Sequence, residues 1–106
     1  MKTTLERLIK NRELRMLIGQ YEEICEKFMA LSEWPAVFVY FEEYERLHKN
    51  LQEKLQEIAV FYYGNRNYFP TEIESEIIKL LNIGLNIQKN FEETKELFRR
   101  YKREMA

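Results

Sequence analysis

Aspartate is missing from this 106-residue chain, so all of its 18 acidic residues are glutamates. The shorter acid favours caps and turns, whereas glutamate sits readily inside helices, and its exclusive use points to long helical segments. Three glycines and two prolines leave material for only a few chain reversals. The one cysteine, Cys25, has no internal partner for a disulfide, which fits a reducing compartment. With a single histidine, His48, a metal centre built from several imidazoles is excluded. No stretch approaches the roughly 20 apolar residues that cross a bilayer. The opening Met1-Lys2-Thr3-Thr4-Leu5-Glu6 lacks the apolar run of a secretory signal, so a cytoplasmic location and no membrane insertion are expected. Charged residues make up 33% of the chain, yet the net charge is only -1, so no strong field draws nucleic acid. No glycine-rich phosphate loop, zinc-type spacing or nucleophile elbow is present; neither an enzyme nor a cofactor is expected.

What the chain does have is heptad spacing. Val37, Phe41, Tyr44, His48, Leu51, Leu55, Ile58 and Tyr62 recur at alternating steps of four and three, as the seam positions of packed helices do. The rule repeats through Ile73, Ile77, Leu80, Gly84, Ile87, Phe91, Thr94, Phe98, Tyr101 and Met105. A third segment carries Leu14, Leu17, Tyr21, Ile24, Phe28 and Leu31 at helical spacing. Its first turns, with Leu5, Leu8 and Ile9, keep a different register, so a frayed or bent end is expected there. Ser32 is placed to cap the second helix, with Pro35 in its first turn. Gly64 or Asn65 would end that helix in the left-handed conformation, and Thr71-Glu72-Ile73-Glu74 is a capping-box pattern opening the next. These signals predict an all-α single domain with helices over about 4–31, 33–63 and 72–104. Short connections make neighbours antiparallel, giving an elongated, coiled-coil-like up-down-up three-helix bundle.

Glu45-Arg46-Leu47-His48 matches the spacing that presents two metal ligands on one helix face. A second such motif is missing, so His48 reads as a seam residue hydrogen-bonded to a neighbour, and no metal is expected. Cys25 lies one turn from Tyr21 and Phe28 and reads as a small core residue. Lys95, Arg99, Arg100, Lys102 and Arg103 complement a helix C-terminus and have Glu92, Glu93 and Glu96 within reach. Arg99, Arg100 and Arg103 are also a candidate second docking site for an acidic partner. The broadest signal is apolar. Val37-Phe38-Val39-Tyr40-Phe41 is apolar around nearly the whole helix, and Ile78, Leu81 and Leu85 form a stripe beside the seam. Such a stripe implies a further helix, a homodimer or a groove for a partner's amphipathic helix, unless it is core against the first helix.

Ala30-Leu31-Ser32-Glu33-Trp34 entering the second helix, then Val37-Phe38, Tyr44 and Leu51, and the long Ile77-to-Met105 segment, together resemble the FliT-type flagellar export chaperones. The resemblance implies a cytoplasmic helical chaperone that holds an amphipathic segment of a filament-cap-type export substrate, prevents its premature assembly and hands it to the type III export apparatus. By the same resemblance the partner-binding surface is Phe38, Phe41, Ile78, Leu81 and Leu85. The alternative from another class is a structural homo-oligomeric scaffold without a client.

Overall fold

A computed structural model describes residues 4–33 and 36–105. Trp34 and Pro35, and with them the expected first turn of the second helix, lie outside the described residues. The elements are α1 (Thr4–Leu31), a short α2 (Ala36–Val39), α3 (Phe41–Gly64), a 3-10 turn (Arg66–Tyr68) and α4 (Ile73–Met105). No strand occurs among the described residues. The particle measures 64 × 18 × 16 Å with a radius of gyration of 17.3 Å. A compact chain of about 100 residues has a radius near 13 Å, so this is a rod.

Cross-helix contacts fix the topology. Lys10 lies over Phe61 and Tyr68, Lys54 bonds Gln20, and Phe28 stacks on Tyr44, so α1 and α3 run antiparallel. Gln52 bonds the Gly84 carbonyl, Glu45 faces Lys95, and Phe41 stacks on Phe98, so α3 and α4 do too. The three long helices form the expected up-down-up bundle. Helix α3 is its spine, packed by α1 on one side and α4 on the other, while α1 and α4 approach each other least.

That arrangement decides which seams close. All eight residues of the seam from Val37 to Tyr62 are buried, because α3 and α2 have neighbours on both sides. Along α4 only Ile77, Gly84 and Phe91 are fully buried; Ile73, Leu80, Ile87, Thr94 and Phe98 are half-buried, and Tyr101 and Met105 are exposed. Phe28 of α1 and Phe91 of α4 meet the same His48 ring, so α1 ends near the level of Thr94. Beyond that level α4 continues for on the order of 15 Å with only α2 and the first turns of α3 beside it. At the opposite end Leu5, Leu8 and Ile9 are exposed, and α1 is one helix from Thr4.

Three local expectations change. The predicted helix over 33–63 is divided at Tyr40 (φ -111°, ψ 35°). Five β-branched or aromatic residues in succession are poor helix formers, and the bend lets Phe38 meet Phe98 and Tyr101 while Phe41 enters the core. Ser32 does not cap the second helix; its hydroxyl donates back to the Met29 carbonyl at the end of α1. Neither Gly64 nor Asn65 adopts the left-handed conformation. Instead the Asn65 N–H is shared between the Phe61 and Tyr62 carbonyls, and the Asn65 side-chain amide donates to Phe61 as well. The helix from the capping-box region opens at Ile73 as expected, although the Glu74 carboxylate accepts a hydrogen bond from Arg66 across the loop.

Gly84 occupies a seam position where a side chain is excluded. A Cβ there would overlap Cδ2 of Leu55, which is itself buried, and the Gly84 carbonyl accepts from Gln52 at 3.1 Å. At this level the backbone of α4 meets the side chains of α3 directly.

Candidate protein-binding site

The expected partner-binding residues do not form one groove. Phe41 is only 7% exposed and is a core residue, ring-stacked on Phe98 and Phe91. Phe38 is half-buried against Phe98 and Tyr101, in an aromatic pocket of about 600 Å³ at the bend between α2 and α3. Ile78, Leu81 and Leu85 lie elsewhere on α4. Leu85 and Phe98 are thirteen residues apart, roughly 20 Å of rise and more than a third of a turn out of phase. Leu81 is half-buried against the core, whereas Ile78 and Leu85 are 44% and 68% exposed. Leu81 and Leu85 line a notch of about 520 Å³ beside α3, with Gln52, Leu55, Gln56 and Ala59. The stripe therefore belongs to the α3–α4 side, and Phe38 and Phe41 to the far end of the rod.

A longer apolar surface lies where α1 and α4 splay apart. Leu14 and Ile18 of α1 face Ile73, Ile77, Leu80 and Ile83 of α4 across a furrow of about 420 Å³. Ile83, 47% exposed, forms its outer edge. Both rims are charged with mixed signs, Arg15 and Glu22 on α1 and Glu76 and Lys79 on α4. An apolar floor between charged rims is the shape and chemistry that an amphipathic helix fills. The contribution of α1 was not legible in its own spacing, because Leu14 reads as plain core. Ile83 was the available signal: it sits outside both the seam and the stripe, and its apolar character needed a third explanation.

The basic end of α4 is largely self-paired. Arg99, Arg100 and Arg103 approach the single Glu96 carboxylate at 3.9, 3.7 and 3.9 Å, Lys95 reaches Glu45 at 3.6 Å, and Lys102 lies 5.0 Å from the Phe98 ring centre. All three arginines are exposed, and three guanidiniums sharing one carboxylate leave excess positive charge there. Exposed pairs of this kind contribute little to stability.

His48 and Glu45 part company despite their spacing. The imidazole is buried, stacked on Phe91 at 3.9 Å and 4° between planes, with Gln52 at 3.4 Å from Nε2 and Gln88 as a second hydrogen-bond partner. Glu45 turns outward to Lys95. Burial is the main cause that lowers the His48 pKa from its ordinary value near 6.5; Glu92 and Glu45 oppose it, and Lys95 adds to it. The unfolded chain therefore takes up this proton first. Stability is fully present above about pH 6.5 and falls as the pH drops towards the lower folded-state value. Thermal unfolding between pH 7 and 5 is expected to show a falling Tm, and His48→Leu is expected to flatten that slope. An unchanged slope in the variant would assign the effect to another group.

Cys25 is half-buried beside Tyr21, and burial raises its pKa above the usual thiol value, which keeps it protonated. Tyr21 is buried, its hydroxyl has no oxygen or nitrogen partner among the described residues, and burial raises its pKa also. A thiol held protonated is a packing group, since the thiolate is the nucleophile.

Comparison with known proteins adds no relative. The chain matches no protein-family model, no curated protein and no solved structure. Among the described residues no helix is long and apolar enough to cross a membrane.

Proposed function

We propose that this protein is a helical chaperone or adaptor that binds an amphipathic helix of a partner protein in the furrow between α1 and α4. The observation that carries the reading is the furrow itself, with half-buried Ile18 and Leu80 and exposed Ile83 left open between charged rims over buried Leu14 and Ile77. A partner helix with apolar residues at i, i+3/i+4 and i+7 would add a fourth rod to the bundle and close the half-open side of the α4 seam. The more specific version follows from the sequence resemblance: a cytoplasmic flagellar export chaperone whose client is a filament-cap-type segment, with Arg99, Arg100 and Arg103 as a second docking point for an acidic surface of the export apparatus. In this reading the client surface moves from the stripe of Ile78, Leu81 and Leu85 to the furrow.

The test uses a synthetic peptide spanning the C-terminal helical region of a flagellar filament-cap protein, titrated into the full chain and followed by calorimetry. Saturable binding is expected, and Ile83→Asp should weaken it by a factor of ten or more. A carboxylate pressed into an apolar interface costs several kcal/mol when unpaired, and about 1.4 kcal/mol already corresponds to tenfold. Because Ile83 is half exposed, the same variant should unfold close to the parent temperature. No binding of the peptide would overturn the export reading. Binding that ignores Ile83→Asp would overturn the furrow.

A further inference from the structure

The outer face of α1, opposite its buried Leu14, Leu17, Tyr21 and Phe28, carries an order of residues that packing within one copy does not explain. Leu5, Leu8, Arg12, Arg15, Gly19, Glu22, Glu26 and Met29 recur at alternating steps of three and four, and all are exposed. This is a second seam on the back of the helix, and it accounts for the separate register of Leu5 and Leu8. Its charges are sorted. Before Gly19 the charged seam residues are Arg12 and Arg15; after it they are Glu22 and Glu26, with exposed Glu23 beside them. That order gains nothing from the helix dipole, which favours acids near the start and bases near the end. Arg12, Arg15, Glu23 and Glu26 enter no ion pair among the described residues.

Gly19 sits where the sign changes. A glycine inside a helix is destabilising relative to alanine, yet nothing in the copy lies within 4 Å of where its Cβ would stand. Internal packing therefore does not require it. A bare backbone at this point lets a second helix approach most closely.

A pattern whose sign reverses about its midpoint complements itself when turned end for end. A two-fold axis passing Gly19 sets each residue of α1 against the one equally far beyond Gly19 in the second copy. Arg12 then faces Glu26 of the second copy and Arg15 faces Glu23, with Glu22 one position away, and symmetry makes each pair twice. Leu8 and Ile9 face Ala30 and Met29. On the flank, Glu13 and Lys27 come within two positions of each other, again with opposite sign. Parallel pairing in register would instead set each of these charges against its own kind. The complement that the face demands is thus carried by the chain itself. Exposed ion pairs fix direction and register more than they add affinity, and burial of Leu8, Ile9, Met16 and Met29 supplies the attraction.

We infer that two copies pair through antiparallel α1 helices crossing at Gly19, with Arg12 and Arg15 of each against the acidic half of the other. The inference does not rest on the client reading; a structural scaffold would pair in the same way.

Sedimentation velocity of the full chain over a concentration series tests it. One copy has a mass of 13.1 kDa, and the expected result is a concentration-dependent shift from that mass to twice it. Arg12→Glu and Glu26→Arg should each weaken the dimer tenfold or more, while the double variant Arg12→Glu/Glu26→Arg should restore it to within about threefold. All three should keep the parent circular dichroism, because both side chains are exposed. In a Cys25→Ser background, Gly19→Cys should cross-link to its own counterpart on mild oxidation and Leu8→Cys should not. A monomer at every soluble concentration would overturn the inference. So would a dimer indifferent to the single reversals, one that the double reversal fails to restore, or cross-linking at position 8 in place of position 19. Loss of peptide binding with this dimer retained would count against the client proposal alone.

Discussion

Phe91→Ala is expected to lower the stability of the protein by about 3–5 kcal/mol, the usual cost of emptying an aromatic site in a close-packed core. Phe91 is buried, stacks on His48, and meets Tyr44 and Phe41 at ring-centre distances of 5.5 and 6.2 Å. With Phe98, which stacks on Phe41, it brings α4 onto the aromatic column that Phe28 enters from α1. Removing it leaves a cavity whose walls are stiff rings, which collapse poorly, so the loss should fall toward the upper part of the range. Domains of this size have about 5–15 kcal/mol in total, so a large share of the folded margin goes with one side chain. Urea unfolding followed by circular dichroism measures it. A loss under about 1 kcal/mol, typical of surface substitutions and mild changes, would show that α4 is not anchored at this ring.

The second large effect comes from adding atoms. Gly84→Val is expected to cost on the order of 1–3 kcal/mol, because the new side chain must displace Leu55, a buried seam residue, and part α4 from α3 locally. The same class of change at Gly19 should have the opposite sign. Gly19 is exposed in the middle of α1, and nothing lies within 4 Å of where its Cβ would be. Gly19→Ala should therefore stabilise by roughly 0.5–1 kcal/mol through helix propensity alone. The pair of variants, unfolded side by side, separates packing from backbone entropy. If both glycines tolerate alanine and valine equally, the close approach at Gly84 does not hold in solution.

The spine of the fold was readable because its neighbours lie on both sides. Each seam residue from Val37 to Tyr62 is buried wherever along the rod it falls, so spacing alone was sufficient. The seam of α4 was readable only in part. Its spacing identifies Tyr101 and Met105 as well as Ile77, yet whether a position is covered depends on where α1 ends, and that is set by the relative lengths of separate segments. Phe41 shows the opposite difficulty. In an unbroken run of five apolar residues no period distinguishes the inward side chain from the outward one, and the bend at Tyr40 that settles it is a tertiary accommodation. The stripe of Ile78 and Leu85 was legible as lying beside the seam, but half-buried Leu81 shows that its inner edge is core. The furrow was not legible, since it exists only when Leu14 and Ile18 are brought beside residues more than fifty positions away.

The spine also governs how the molecule can deform. Helices α1 and α4 are each seated on α3 and scarcely on one another, so either can roll about α3 while its own seam stays engaged. Few contacts join the two outer helices directly, so the opening between them is the dimension of the rod least fixed by packing. For the client helix proposed above, selectivity would reside in the spacing of the rim charges Arg15, Glu22, Glu76 and Lys79.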